Sequence, residues 1–201
     1  MSSDAIKKTI EELLRAPAEL KNKLPQALEE IGKYGVGKAL DENPDFLCRL
    51  LTQLRKADAA RVFAHVSEAT DKLSDLLWGG ISVRAGQSQS MEAVLTKAER
   101  DIHVNIEASD SPFQCHFMVK KGEITGGSGL LHFKDEDFRF MGPTETLMGL
   151  FIGDLPLGFS NLQLQTAGHS GWMSRVGPIM QEIAKLLKAT QDAVGKTGSG
   201  I

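Results

Sequence analysis

The first 80 residues place their apolar side chains at the spacing of amphipathic α-helices. In the first run, apolar residues recur at i, i+4, i+7 and i+8, which puts them on one face of a helix. The members of this run are Ile6, Ile10, Leu13 and Leu14, and comparable runs follow in residues 20–31, 46–54 and 62–77. Two consecutive glycines, Gly79 and Gly80, then mark a change of character. The pattern therefore predicts a helical segment over residues 1–80.

From residue 101 the apolar period becomes two, as in half-buried β-strands. Ile102, Val104 and Ile106 alternate with polar residues, and the same alternation runs through 113–119. The pair Lys121-Gly122 predicts a tight turn into a strand at Ile124. Further short strands are predicted by the apolar residues at Leu130–Phe133, at Phe138–Met141, and at Leu162 and Leu164.

The remaining segments predict helices, with one stretch left open. Residues 81–83 suit a short strand, whereas Met91 and its neighbours at 94 and 95 suggest a short helix. Pro143 is expected to open a helix that contains Leu147 and Phe151, because proline is favoured at the first helical position. Residues 172–186 carry the spacing of a long terminal helix.

This order of elements predicts an α+β fold, with N-terminal amphipathic helices, a mainly antiparallel sheet and a long C-terminal helix. We divide the chain into a helical extension at 1–80, a sheet-containing domain at 81–195 and a flexible tail at 196–201.

Charge and cysteine content narrow the function classes. The chain has 201 residues and a formal net charge of -3. Residues 1–100 carry 15 basic and 15 acidic side chains, and residues 101–201 carry 8 and 11. Neither half is basic, so we expect no nucleic-acid partner. Cys48 and Cys115 are interpreted as reduced core residues. No apolar leader or run of 18 apolar residues occurs, so we expect a cytoplasmic protein.

One stretch matches most of a phosphate-binding loop. Gly32 to Lys38 follows the pattern G-x-x-x-x-G-K, but the next residue is Ala39 in place of the Ser or Thr whose hydroxyl contacts magnesium. The stretch also follows a helical pattern, where the motif needs a strand. We therefore interpret it as a connector between two helices.

The polar residues offer weak catalytic candidates. His103, His116 and His132 point outward by strand alternation, either as a zinc or copper site or, as we favour, as part of a solvated sheet face. The acidic run at 135–137 is interpreted as a solvated turn. The sequence contains no convincing nucleophile–base pair. We therefore predict a protein that is not an enzyme and holds no metal and no cofactor, and an enzyme using the histidine face is the weakest hypothesis.

Three stretches of the second half have distinctive patterns: Phe117–Ile124 a strand–turn–strand pattern, Asp137–Leu155 a strand and a short helix, and Leu162–Gly168 a last strand that ends at glycine. Together, over about residues 101–187, they resemble the type-two sterol carrier protein family. The chain departs from the family at Gln163 and Gln165, where basic residues are common, and residues 1–80 have no counterpart in the minimal domain.

This resemblance implies a sheet of about five strands, covered on one side by helices, with an apolar tunnel between them. Such domains bind fatty acyl chains, acyl-CoA, phospholipids or sterols without chemistry. Residues 81–195 would then be a lipid-binding domain for a fatty acyl, sterol or isoprenoid ligand. We expect the ligand to contact Phe117, Phe133, Phe140, Leu147, Phe151, Trp172, Ile179 and Met180.

The role of residues 1–80 stays open. Their amphipathic helices either complete the core or form the partner-binding surface of an accessory module in a lipid- or quinone-metabolising complex. A transient membrane or enzyme partner, and a homodimer through the N-terminal helices, are also open.

Overall fold

The computed structural model describes residues 2–15, 17–154 and 163–196. The helices are α1 (Ser3–Arg15), α2 (Leu20–Tyr34), α3 (Val36–Glu42), α4 (Phe46–Lys56), α5 (Ala59–His65), α6 (Ser67–Ala85), α7 (Gln89–Leu95), α8 (Thr144–Ile152) and α9 (Met173–Lys196). The strands are β1 (Ile102–Ala108), β2 (Gln114–Lys120), β3 (Glu123–Ser128), β4 (Phe138–Gly142) and β5 (Gln165–Gly168). The predicted α+β fold is confirmed.

The five strands form one sheet in the order β3-β2-β1-β4-β5. The central pair β1–β4 is parallel, and the other neighbours are antiparallel. Val104 lies opposite Phe117 on one side and Phe138 on the other. Because β3 and β4 lie on opposite sides of the β2–β1 pair, the connection between them has to cross the sheet. We call this connection, residues 129–137, the strap.

The two sheet faces differ in composition and in cover. The inner face carries buried apolar residues, and the helices pack on it. These residues include Ile102, Val104, Ile106, Cys115, Phe117, Val119, Phe138 and Phe140. The outer face carries half-exposed polar residues such as His103 and His116, and the strap runs over it. The alternation predicted for β1 and β2 is therefore confirmed.

Helix α6 overturns the predicted change of structure at Gly79-Gly80. The helix continues through both glycines to Ala85, so the proposed strand at 81–83 is wrong. The reason is packing, since a Cβ at Gly80 would lie 2.6 Å from Leu47 Cδ1. The predicted domain boundary after residue 80 falls inside this helix. Buried side chains before and after that position belong to one core.

The segment after β3 also differs from the prediction. Residues 130–133 form no strand, because the chain there leaves the sheet plane and enters the strap. The last strand begins at Gln165, one residue after Leu164, and Leu162 lies outside the described residues. Of the predicted tail at 196–201, Lys196 ends α9, and 197–201 lie outside the described residues.

Several local predictions hold. Gly35, with φ 102°, joins α2 to α3, so the motif-like stretch at 32–38 consists of the end of α2, this glycine and the start of α3. The Lys121-Gly122 turn joins β2 to β3 with both φ angles positive. Pro143 precedes the first residue of α8. Within the described ranges, no helix is both long and apolar enough to cross a membrane.

Candidate functional site

Six of the eight predicted ligand-contacting residues are buried in the common core. The six are Phe117 on β2, Phe140 on β4, Leu147 and Phe151 on α8, and Ile179 and Met180 on α9. Helix α8 contacts β1, β4 and α9, so its apolar side chains lie between the sheet and the terminal helix. These elements enclose the region predicted for the ligand.

Trp172 and Phe133 lie elsewhere. Trp172 is half-buried in a 3-10 turn before α9, with the Arg175 guanidinium 5.3 Å from its ring centroid. Phe133 is 65% exposed on the strap, so its predicted position on the inner sheet face is wrong. The apolar residues of 130–133 fit a strand, but this stretch has no neighbouring strand to pair with.

The centre of the apolar region is Trp78, which the sequence analysis did not select. Its ring centroid lies 5.0 Å from that of Phe117 and 5.7 Å from that of Phe151, edge-on to the latter. Its side chain is fully buried. Trp78 directly precedes Gly79-Gly80, where the pattern predicted the end of a helix. The i, i+4 spacing of Leu77 and Ile81, with the i, i+3 spacing of Trp78 and Ile81, continues the helical pattern through the glycines and is the signal that would have found Trp78.

Close contact between α6 and the sheet depends on glycines in β3. A Cβ at Gly126 would lie 2.6 Å from Trp78 Cδ2, so any side chain there would collide with the indole. At the end of the same strand, Asp75 Oδ1 accepts the Ser128 backbone N–H at 2.8 Å. The missing side chains of β3 therefore make room for the tryptophan of α6.

Cys115, the cysteine of this region, is expected to be unreactive. Burial raises the pKa of Cys115 to about 12, and the neighbouring Trp78 opposes that rise. The thiol is therefore protonated at neutral pH, whereas a reactive cysteine needs a thiolate. Both cysteines are free and buried, as predicted.

The histidines of the outer face hold the strap. His103 Nδ1 lies 3.1 Å from Asp137 Oδ2, and His116 Nδ1 lies 3.1 Å from the carbonyl oxygen of Gly129. His132 belongs to the strap itself, where its Nδ1 accepts the Lys134 backbone N–H at 3.3 Å. In the described parts of the chain, no three His, Cys, Asp or Glu side chains are placed so that they could hold a metal ion.

Asn105 makes the central contact with the strap. Its Oδ1 accepts the Leu131 backbone N–H at 2.8 Å, and its Nδ2 donates to the Leu131 carbonyl at 3.1 Å and to the Glu136 carboxylate. Arg139 donates to Glu136 and also to Glu107, 2.8 Å away, and these carboxylates raise the pKa of Arg139. The acidic run at 135–137 was predicted to be a solvated turn, but two of its three carboxylates are engaged in fixing the strap.

A separate cleft opens beside α6, α7 and β3. Its volume is about 480 Å3, and none of the predicted ligand residues lines it. Its apolar floor and polar rim are formed by Ala85, Leu95, Ile124, Ser82, Glu92, Glu123 and Thr125, with backbone from Gly86 and Gly122.

Comparison with known proteins finds matches among solved structures alone. No family model and no curated protein matches the chain. Among solved structures, sterol carrier protein 2 from Yarrowia lipolytica, in its apo form, is 18% identical, with a TM-score of 0.38. The match covers 59% of this chain and 91% of that one.

A second similar structure is a stereoselective inverting sec-alkylsulfatase from a Pseudomonas species. It is 12% identical, with a TM-score of 0.41, over 83% of this chain but only 32% of the alkylsulfatase. With both TM-scores below 0.5, we build neither the fold nor the function on these similarities. Membership of the sterol carrier family therefore stays a prediction.

Proposed function

We propose that the protein binds the apolar chain of a lipid between the inner sheet face and helices α6, α8 and α9, and that it carries or presents this lipid without covalent chemistry. The observation that supports the proposal is the aromatic cluster of Trp78, Phe117 and Phe151, which lies where sheet and helices meet. Each buried methylene contributes about 0.8 kcal/mol, so a long chain binds well with few polar contacts.

The side chains around this cluster suit ligands of varied shape. Met148 and Met180 are both buried, on α8 and α9. Methionine is unbranched and adapts to irregular apolar surfaces. An apolar site of this kind discriminates by only about 1–3 kcal/mol per methylene, so we expect a ligand class and not a single molecule. Fatty acyl, sterol and isoprenoid lipids all remain within the proposal.

Lipid content is the direct test. The freshly purified full chain is examined by native mass spectrometry and then extracted with organic solvent. We expect a reproducible added mass that solvent removes, or uptake of the fluorescent fatty acid cis-parinaric acid by the extracted protein. A bare polypeptide that takes up no cis-parinaric acid would overturn the proposal.

A matched pair of variants tests the location of the site. Phe151→Trp adds ring volume inside the proposed site, whereas Phe63→Trp adds the same volume at another buried ring, which stacks on Phe113 at 5.8 Å. Both substitutions overpack the core, at a cost of about 1–3 kcal/mol. We expect Phe151→Trp to weaken cis-parinaric acid binding at least tenfold relative to Phe63→Trp. Equal affinities, with both variants folded by circular dichroism, would place the ligand elsewhere.

The accessory-module hypothesis stays a prediction. The apolar face of α1, with Ile6, Ile10 and Leu13, is buried in the protein's own core. A partner would therefore meet the polar groove between α1 and α2, whose volume is about 390 Å3 and which includes Lys8 and Lys23. Loss of a stable complex in the double variant Lys8→Glu, Lys23→Glu would favour this role.

A further inference from the structure

Trp78 fills the space that the proposed ligand needs. Its indole is fully buried between Phe117 and Phe151, and it lies directly over the backbone of Gly126. The indole therefore occupies the centre of the aromatic cluster while Trp78 keeps this position. A ligand chain can reach Phe117 and Phe151 together only after the indole has moved.

The buried position is unfavourable for the N–H group of the Trp78 indole. Its Nε1 is buried and makes no hydrogen bond of ordinary geometry among the described residues. The neighbouring Cys115 thiol interacts with the indole, since Trp78 opposes the rise in the pKa of Cys115, but sulfur is only a weak acceptor. A buried N–H without an acceptor is destabilising, because the group has lost its bond to water. Movement of Trp78 toward solvent would restore that bond, so the buried position is the less satisfied one for the polar end of the side chain.

The wall beneath Trp78 cannot fill the space that the indole would leave. Gly126, which lies opposite Phe117 and against the indole, carries no side chain. Side chains of other residues relax only partly into a vacated volume, so a dry apolar space lined by Phe117 and Phe151 would remain. Such a space binds apolar molecules.

Helix α6 also contains a glycine that packing does not require. A Cβ at Gly80 would lie 2.6 Å from Leu47 Cδ1 and 2.9 Å from Leu40 Cδ1, so these leucines would have to move, whereas a Cβ at Gly79 would meet no atom closer than 4.0 Å. Glycine inside a helix lowers its stability relative to alanine. Gly79 directly follows Trp78, so the helix is weakened at the residue next to the indole.

We propose that Trp78 is a displaceable internal plug of the lipid site, which occupies the ligand's place in the free protein and leaves it on binding. This inference rests on the proposed function, and Gly79 supplies the backbone freedom for the movement. The ligand selects a minor conformation in which the plug is out, so its apparent affinity is reduced by the small population of that state.

Tryptophan fluorescence tests the plug, because the chain has only two tryptophans, Trp78 and Trp172. In Trp172→Phe, all tryptophan emission comes from Trp78. We expect acrylamide to quench this emission weakly in the free protein and at least threefold more strongly with saturating palmitic acid. Saturation is established separately, by displacement of cis-parinaric acid. The variant Trp78→Phe is the control, since emission from Trp172 should show no such change.

The outcomes separate the two proposals. If cis-parinaric acid binds but palmitic acid leaves the quenching of Trp78 unchanged or reduces it, the plug is wrong and lipid binding stands. If neither wild type nor Trp172→Phe binds cis-parinaric acid, both proposals fail.

Two glycine variants supply a second, independent measurement. Gly79→Ala and Gly32→Ala both place a methyl group in a helix where nothing lies closer than about 4 Å. We expect Gly79→Ala to slow the uptake of cis-parinaric acid at least threefold, because the plug moves less readily, and Gly32→Ala to leave the rate unchanged. Equal rates in the two variants would contradict the role of Gly79 and of plug motion.

Discussion

Removal of the Asn105 side chain is expected to release the strap from the outer sheet face. Asn105 is 0% exposed, although strand alternation points it away from the helices. Its amide accepts from and donates to the backbone of Leu131 and also donates to Glu136. The variant Asn105→Ala removes all three hydrogen bonds and leaves the Leu131 N–H and carbonyl without their partner.

The magnitude follows from those three bonds. Each bond to the Leu131 backbone contributes about 0.5–1.5 kcal/mol, and the bond to the charged Glu136 about 1.5–3 kcal/mol. Arg139 still contacts Glu136 in the variant, so we expect a net loss of about 2–4 kcal/mol. For a chain of this size, that loss lowers the melting temperature by about 5–15 °C.

Urea unfolding followed by circular dichroism measures the effect, and hydrogen exchange at the Leu131 amide shows whether the strap itself is released. Asn22→Ala is the control, because Asn22 is exposed on α2 and its loss should cost no more than about 0.5 kcal/mol. If Asn105→Ala unfolds at the same urea concentration as Asn22→Ala, and Leu131 exchanges at its wild-type rate, then these hydrogen bonds do not hold the strap in solution.

Three further outcomes are expected. Gly126→Ala places a Cβ 2.5 Å from the His116 carbonyl oxygen and 2.6 Å from Trp78 Cδ2, and should destabilise the protein by about 1–3 kcal/mol in urea unfolding. Gly86→Ala should not, because the nearest atom to its Cβ lies at 3.7 Å; equal midpoints would contradict the close packing around Gly126. Burial raises the pKa of Cys115 from 9.0 to about 12. Between these two pH values the thiol loses its proton in the unfolded chain but keeps it in the folded protein, so the free energy of unfolding falls as the pH rises. Between pH 8 and 10.5, wild type should lose about 2 kcal/mol more than Cys115→Ala, and parallel pH profiles would contradict this. Phe133→Ala should change stability by less than about 0.5 kcal/mol, since this ring is exposed; a larger loss of urea stability would mean that the strap packs differently.

The parts of the fold that depend on local spacing could be predicted from the sequence. The apolar face of α1, from Ile6 to Leu14, and the alternation in β1 and β2 are both set by residues close together in the chain. The turn at Lys121-Gly122 is equally local, since it needs only two residues that tolerate positive φ. These elements appear in the structure as predicted.

The errors come from contacts between residues far apart in sequence. Gly80 indicates a break in isolation, but within the fold it allows α6 to approach Leu47, which is 33 positions away. Asn105 is polar and outward by alternation, yet it is buried because the strap returns over it from residue 131. The hydrophobic periodicity of the sequence does not predict that a distant segment will fold back over Asn105.

The candidate site was predicted in part for the same reason. Phe117, Phe140 and Phe151 were selected by their apolar spacing, and they are buried where sheet and helices meet. Phe133 was selected on the same evidence, but the strand that would have turned it inward does not form. Trp78 was overlooked, because the two glycines directly after it suggested that the helix ends at this point.

The contact between Asp75 and Ser128 also bears on how the protein avoids joining its sheet to that of another molecule. Strand β3 is an outermost strand, and an outermost strand displays backbone groups to which a second chain can add itself, which is the first step toward fibrous aggregates. At Ser128 the amide that an added strand would need is already bonded to the Asp75 carboxylate. Helix α6, which brings Trp78 to the centre of the core, therefore also blocks one end of the edge strand β3, so that a strand of a second molecule cannot pair with it there.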